Sequence, residues 1–333
     1  MALSSQLHGY YTRVLGVGAY LPRTRVDNAE VVASIDSTDE WIRQRSGIRS
    51  RHYAHEDETV VTMGAAAARQ AVENAGKDCA DIDVIIVTTV SNFNQTPAVA
   101  PQIAASIGAG DPAAFDLSAG CSGFVHGVAI AKDLITAGTA ANVLVIGVER
   151  LSEMTDPHDR STAFIFGDGA GAFLIGRSTE PAIGPVVWGS DGKNSELITQ
   201  SISWTEFLRS ASTHERPWFR MQGRSVFKWA VTSMTDLALN ALDSAGISKN
   251  DLDVFIPHQA NMRITDAVAD GLNLPDHVEV ARSIERMGNT SSASIPLAIN
   301  SLLDSGRAES GHTALIIGFG AGLSYAATVL RLP

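Results

Sequence analysis

The chain is poor in cysteine and in charged residues, and it has no long apolar run. Its 333 residues include two cysteines, and 18% of them are charged. Cys79 lies in the polar stretch K-D-C-A-D and Cys121 in the apolar stretch A-G-C-S-G, so we predict no disulfide framework and a reducing, cytoplasmic location. No run approaches the roughly 18 apolar residues that cross a bilayer, and no signal-peptide pattern opens the chain, which predicts a soluble protein without a membrane partner.

Cations and metal-ligand patterns are also scarce. With 25 Lys and Arg against 36 Asp and Glu, the net charge is -11, which disfavours nucleic acid as a partner because phosphates require a positive surface. No pair of histidines or cysteines has zinc-ligand spacing, so we expect no metal. One basic cluster follows Trp41 and fits either a small phosphorylated ligand or acidic partner, or a solvated loop. It contains Arg43, Arg45, Arg49 and Arg51.

What is present is an apolar, alternating pattern. Residues are 45% hydrophobic, and Val/Ile-rich segments alternate with helical ones, which predicts an α/β protein with covered, largely parallel sheets. The glycines at 16 and 18 and the run G-D-G-A-G-A-F-L-I-G lack the helix that a dinucleotide-binding fold requires. The aromatic stretch 191–223 predicts a surface excursion, such as a lid or a wall over a pocket.

One pattern occurs twice in the chain. Residues 71–87 and 241–257 align without a gap, and each copy predicts a helix ending at glycine, a short acidic loop and a buried strand. We therefore divide the chain into two similar halves, residues 11–178 and 179–333. Counting back from later matching helices pairs Cys121 with Asn289.

The residues that differ between the halves are chemically useful ones. Cys121 stands at a predicted strand-to-helix junction, where amide groups and the helix dipole favour a nucleophilic thiolate of lowered pKa; the alternative is a buried structural cysteine. His258 follows the strand V-F-I-P and can donate a hydrogen bond to an oxyanion. Asn289 is either an ordinary helix cap or a second neutral donor beside the sulfur. A thiolate with two neutral donors suits thioester chemistry that passes through an enolate.

Four motifs together resemble one family. A-G-C-S-G-F, P-H-Q-A-N, G-N-T-S-S-A-S-I-P and G-F-G-A-G occur in the order and spacing of the ketoacyl synthase III enzymes of the thiolase superfamily. The resemblance extends from about Arg13 to the end of the chain. It implies a five-layered αβαβα fold with duplicated, pseudo-twofold halves, a homodimer, and a triad of Cys121, His258 and Asn289.

The resemblance also implies a reaction. Cys121 accepts an acyl group from acyl-CoA, with the backbone N–H groups of Cys121 and Ala321 as the oxyanion hole. Malonyl-acyl carrier protein then loses carbon dioxide while His258 and Asn289 donate hydrogen bonds to its thioester oxygen, and the carbanion attacks the acyl-cysteine. No metal or redox cofactor is implied.

Binding residues follow by the same resemblance. Trp41 and Arg160 hold the adenine end of CoA, Arg45 lies near its phosphates, and Arg263 meets the carrier protein. Thr96 reaches the partner subunit's acyl pocket, where some relatives carry a bulky aromatic residue, so we predict tolerance of branched or longer primers.

Two departures leave alternatives open. Asp266 and Asp270 stand where several relatives have lysines that meet the acidic carrier, and like charges weaken docking. The acceptor could therefore be a particular carrier, or the hydroxyl or amine of a specialised metabolite. A biosynthetic thiolase is disfavoured because Cys79 lies at the far end of a strand from Cys121, and a non-catalytic binding scaffold is the remaining alternative.

Overall fold

The computed structural model describes residues 9–209 and 216–333, and two five-stranded sheets form its frame. In chain order the strands are β1 (Tyr11–Tyr20), β2 (Thr24–Asp27), β3 (Ser50–Tyr53), β4 (Val84–Thr88), β5 (Ala113–Leu117), β6 (Asn142–Glu149), β7 (Gly169–Ser178), β8 (Val187–Ser190), β9 (Ile198–Gln200), β10 (Phe219–Met221), β11 (Val254–Pro257), β12 (Glu279–Val280), β13 (Thr313–Gly320) and β14 (Ser324–Arg331). The helices are α1 (Asn28–Val32), α2 (Asp39–Ser46), α3 (Val60–Asn74), α4 (Val99–Ile107), α5 (Gly123–Thr136), α6 (Trp204–Arg209), α7 (Gly223–Ala245), α8 (Met262–Leu272), α9 (Ile284–Met287) and α10 (Ser294–Asp304).

The two sheets have the same strand arrangement. One runs β5-β4-β6-β7-β1 and the other β12-β11-β13-β14-β8. In each, the three strands at the first-named end pair in parallel and the remaining pairs are antiparallel. Because β1 opposes β7 and β8 opposes β14, four of the five strands in each sheet run in one direction, with β7 and β14 as the exceptions, and the prediction of largely parallel sheets is confirmed. β14 returns antiparallel because residues 321–323, between β13 and β14, are too few for a crossover helix.

Helices cover the sheets in three layers. Val125 and Val128 of α5 and Ile295 and Ile299 of α10 pack into one core with strands of both sheets. A second core places α3 and α4 on the outer face of the first sheet. A third places α7 and α8 on the outer face of the second. The predicted five-layered αβαβα fold is confirmed.

The repeated pattern folds as expected in both copies. α3 and α7 are each followed by a glycine in the left-handed region, Gly76 at φ +62° and Gly246 at φ +68°. A short 3-10 turn containing acidic residues follows in each copy, and then the fully buried strands β4 and β11. The boundary between residues 178 and 179 stays a prediction.

The aromatic stretch 191–223 forms a wall. Its strands β9 and β10 pair into a small antiparallel ribbon, and Ile198 and Met221 of that ribbon line a cavity. Residues 210–215 of this stretch lie outside the described residues. Among the helices of the described chain, none has the length and apolar character needed to span a bilayer.

Candidate active site

A large cavity lies between elements of both halves. Its volume is about 770 Å³. Cys121, His258 and Asn289 all line it, so three residues that are far apart in the sequence meet at one place. Ile198, Met221, Phe227 and others supply an apolar wall. The arrangement joins a nucleophile and two polar side chains in a pocket with apolar walls.

Cys121 sits in a 3-10 turn, Gly120–Ser122, between β5 and α5. Gly120 has φ +55°, a conformation that needs glycine here, and a Cβ on it would lie 3.1 Å from the Ala321 carbonyl oxygen. On Gly320, a Cβ would lie 2.9 Å from the sulfur. Backbone N–H groups of Cys121 and Ala321 hydrogen bond to the sulfur and lower its pKa. Both amides expected at the oxyanion hole are therefore at the sulfur.

The predicted low pKa of Cys121 is nevertheless wrong. Burial raises the pKa of the thiol to about 11, and the nearby Glu149 carboxyl group adds to the rise. The Ser291 hydroxyl and the two amides lower the pKa, but burial of the sulfur disfavours the thiolate by more than these hydrogen bonds stabilise it. Cys121 is thus a thiol in the resting protein.

His258 is held as a neutral imidazole. It follows β11, is 2% exposed, and burial lowers its pKa to about 3. Its Nδ1 lies 2.7 Å from Ser294 Oγ, and its ring meets Phe319 edge-on at 5.2 Å. A neutral imidazole has one N–H group and one acceptor nitrogen. If Nδ1 is the acceptor, the N–H group at Nε2 can donate a hydrogen bond to a ligand.

Asn289 is oriented by its own turn. Its Oδ1 accepts a hydrogen bond from Ser291 N at 2.9 Å, and its backbone N–H donates to Ile165 O at 2.9 Å. Asn289 is not the helix cap that one interpretation predicted, because Thr290 occupies the N-cap position of the 3-10 turn Ser291–Ala293. The contact with Ser291 uses only the side-chain oxygen, which leaves the amide nitrogen as a donor for the cavity.

The cavity mouth is basic and aromatic. The Arg160 guanidinium lies 5.0 Å from the Trp41 ring centroid, and Arg263 lies 5.4 Å from that of Phe227. Arg45 lines the same cavity. Cation–π stacking leaves the N–H groups of a guanidinium free for an anion.

The four arginines that follow Trp41 make different contacts. Arg43 pairs with Asp39 at 2.9 Å, and Arg49 lies 3.8 Å from Glu285. Arg51 is fully buried and donates to Phe164 O at 2.7 Å. Of the four, Arg45 alone lines the cavity, so most of the cluster supports the local structure.

Thr96 does not line this cavity. It is exposed, in the stretch between β4 and α4, so its contact with a partner subunit stays a prediction. Arg224 and Ser294 were missed by the sequence reasoning, although Arg224 lines the cavity and Ser294 contacts His258. Ser294 lies within G-N-T-S-S-A-S-I-P and could have been proposed from its place beside Asn289.

We searched the part of the chain that the structure describes for side chains that could bind a metal ion. No group of three or more His, Cys, Asp or Glu side chains there could hold an ion. The absence of a cofactor stays a prediction.

Comparisons with known proteins agree with one another. Residues 115–192 match the model for 3-oxoacyl-[acyl-carrier-protein] synthase III, and residues 242–332 match the model of its C-terminal part. The chain is 54% identical to beta-ketoacyl-[acyl-carrier-protein] synthase III 1 of Streptomyces coelicolor, with 97% of each chain covered. It is 47% identical to the mycobacterial enzyme of that name from Mycobacterium avium, over 96% of this chain and 95% of that one.

A solved structure is similar over the whole chain. The priming β-ketosynthase of the R1128 polyketide pathway has a TM-score of 0.96 and 48% identity, and the match covers 100% of this chain and 98% of that one. The αβαβα layers, the four motifs and these matches have one explanation: the chain belongs to the 3-oxoacyl-[acyl-carrier-protein] synthase III family of the thiolase superfamily.

Proposed function

We propose that this protein is a condensing acyltransferase that starts fatty-acid or polyketide chains. It joins an acyl-CoA primer to malonyl-acyl carrier protein, releases carbon dioxide and gives a 3-oxoacyl-acyl carrier protein. The observation that carries the proposal is that Cys121, His258 and Asn289 line one cavity. No metal or redox cofactor takes part.

The first half-reaction transfers the acyl group to sulfur. Cys121 attacks the acyl-CoA carbonyl carbon, and its proton is transferred to the departing CoA sulfur, so that CoA leaves as the thiol. The N–H groups of Cys121 and Ala321, which lie at the free sulfur, donate to the oxyanion of the tetrahedral intermediate. Because these dipoles are fixed before the substrate arrives, little reorganisation is needed.

The second half-reaction forms the carbon–carbon bond. A hydroxyl proton donated by Ser294 to His258 Nδ1 leaves the other ring nitrogen protonated, so that it donates to the malonyl thioester oxygen. Asn289 donates from its amide nitrogen. Two neutral donors stabilise the enolate that remains as carbon dioxide leaves. The enolate carbon attacks the acyl group, the carbon–sulfur bond breaks, and Cys121 departs as a thiolate that takes a proton from solvent.

Binding of the two substrates fits the cavity mouth. We place the adenine of CoA against Trp41 and Arg160 and its phosphates near Arg45, and the carrier at Arg263. Asp266 forms an ion pair with Arg282. The pairing offsets the negative charge of Asp266, which the sequence analysis expected to weaken docking of an acidic carrier. Asp270 keeps its repulsive effect.

A homodimer fits the exposed edge of the first sheet. β5 is an edge strand, and Phe115 on it is 39% exposed. Edge strands with apolar side chains are commonly covered by another chain. A second copy pairing here would bring the exposed Thr96 to the partner's acyl pocket.

Intact mass spectrometry tests the proposal directly. Incubation with a panel of acyl-CoAs is expected to add one acyl group at Cys121, and malonyl-acyl carrier protein is then expected to remove it with release of carbon dioxide. Absence of the adduct would indicate a binding scaffold. An adduct that is discharged to a hydroxyl or amine without carbon dioxide would indicate simple acyl transfer instead.

A further inference from the structure

A pair of serine hydroxyls links the two turns that carry the sulfur and the Ala321 amide. Ser122 Oγ lies 2.8 Å from Ser324 Oγ. Ser122 also donates to the Ala119 carbonyl oxygen at 2.8 Å, while Ser324 lies 2.9 Å from the Ala321 carbonyl oxygen and 3.1 Å from that of Ala119. Ser122 follows the nucleophile in the first half, and Ser324 begins β14 in the second. The pair therefore joins the halves beside the reacting sulfur.

Both turns have backbones that regular hydrogen-bond ladders do not fix. Ala119 has φ -142° and ψ 33°, and Gly120 has φ +55°. On the other side, Gly322 has φ +137° and follows Ala321 directly. Glycine has several accessible conformations of similar energy, so surrounding contacts select the one that each turn adopts. A carbonyl bond to a serine hydroxyl fixes the peptide units next to Cys121 and Ala321.

The far side of the second turn is anchored separately. Leu323 is fully buried, and its backbone bonds with that of Asp191 at 2.7 and 3.2 Å. This anchor keeps the turn folded when a hydroxyl is lost. These backbone bonds do not involve the Ala321 carbonyl group, so the orientation of the Ala321 N–H group still depends on Ser324.

We propose that Ser324, with Ser122, is a positioning residue for the oxyanion hole. The pair has two hydroxyl protons for the four contacts described above, so the acceptors share them and the two hydroxyls act as one unit. Ser324 holds the Ala321 carbonyl away from the developing oxyanion, and the N–H groups of Ala321 and Cys121 face it. The inference rests on the proposed function, because it assigns these amides to the acylation step.

The decisive comparison is between two half-reactions in one variant. Ser324→Ala is expected to lower the rate constant for acylation of Cys121 by about tenfold, the effect of one orienting hydrogen bond, with KM for acyl-CoA unchanged. Carbon dioxide release from malonyl-acyl carrier protein without primer depends on His258 and Asn289, and it is expected to change less than about twofold. Ser324→Thr keeps the hydroxyl and is expected to restore acylation.

Controls separate positioning from damage to the fold. Ser305→Ala removes a hydroxyl-to-carbonyl bond to Ser301 far from the cavity and is expected to leave both rates unchanged. The Ser122→Ala and Ser324→Ala losses are expected to be less than additive. Equal loss of both half-reactions in Ser324→Ala, or no loss of acylation, would overturn the assignment. A wild-type protein that neither acylates nor decarboxylates would overturn the proposed function instead.

Discussion

Ser294 Oγ lies 2.7 Å from Nδ1 of His258, and both side chains are buried. Burial excludes water as a substitute partner, so in the proposed reaction this hydroxyl is the group that keeps the proton on the other ring nitrogen. Ser294→Ala is therefore expected to slow decarboxylation roughly tenfold, while acylation of Cys121 keeps its rate. Carbon dioxide release and adduct formation, measured on the same preparation, check this. Ser294→Thr, which retains the hydroxyl, is the matched control.

Asn289→Asp is expected to abolish release of carbon dioxide, a loss of at least about 10². A carboxylate cannot donate a hydrogen bond and repels the developing enolate. Acylation of Cys121 is expected to survive, since the amides of Cys121 and Ala321 serve that step. Loss of both activities together would contradict the separate roles given to these groups.

Trp41→Ala is expected to raise KM for acyl-CoA roughly tenfold, because it removes the ring on which Arg160 stacks. The adenine should be the part of the substrate that is affected. An acyl-N-acetylcysteamine thioester, which has no adenine, is the matched substrate and is expected to react equally with both proteins. A similar loss for both substrates would place the adenine elsewhere.

Thr96→Phe is expected to narrow the range of primers by filling the partner subunit's acyl pocket. Competition between short and branched acyl-CoAs, read as the ratio of Cys121 adducts, measures the change. Thr96→Ser keeps a small side chain and is expected to leave the ratio unaltered. An unchanged ratio in Thr96→Phe would remove Thr96 from the pocket.

Glu149→Gln is expected to speed alkylation of Cys121 by iodoacetamide at pH 8. The Glu149 charge helps to raise the thiol pKa to about 11, and removing it lowers that pKa and increases the thiolate fraction. Below its pKa the wild-type thiol should gain about tenfold in rate per pH unit. A Cys79→Ser background removes the other free thiol from the measurement, and a slower reaction in Glu149→Gln would contradict the stated electrostatic effect.

Local sequence patterns were sufficient to predict structure where one residue type favours one conformation. The glycines that end α3 and α7, and the apolar strands β4 and β11, were all anticipated from the repeat. The meeting of Cys121, His258 and Asn289 at one cavity also followed, because duplication relates two of these positions.

Effects that depend on surrounding atoms were not accessible from sequence. The pKa of Cys121 was expected to fall and instead rises. The direction of the pKa shift depends on how far the folded chain excludes water from the sulfur. The reversed strands β7 and β14 were not anticipated, because strand direction depends on the length of each connection. Ser294 and Arg224 were missed because a serine or an arginine has many ordinary uses in a sequence.

Gly320 presents no side chain to the sulfur, and a single added carbon would come within 2.9 Å of it. Main chain, unlike a side chain, has no rotamers with which to make room. The side of the cavity formed by the Gly320 backbone is therefore rigid, and no substitution can increase the space there. Any engineered change of primer size must come from the opposite faces, and a library built at position 320 would return glycine in every active clone.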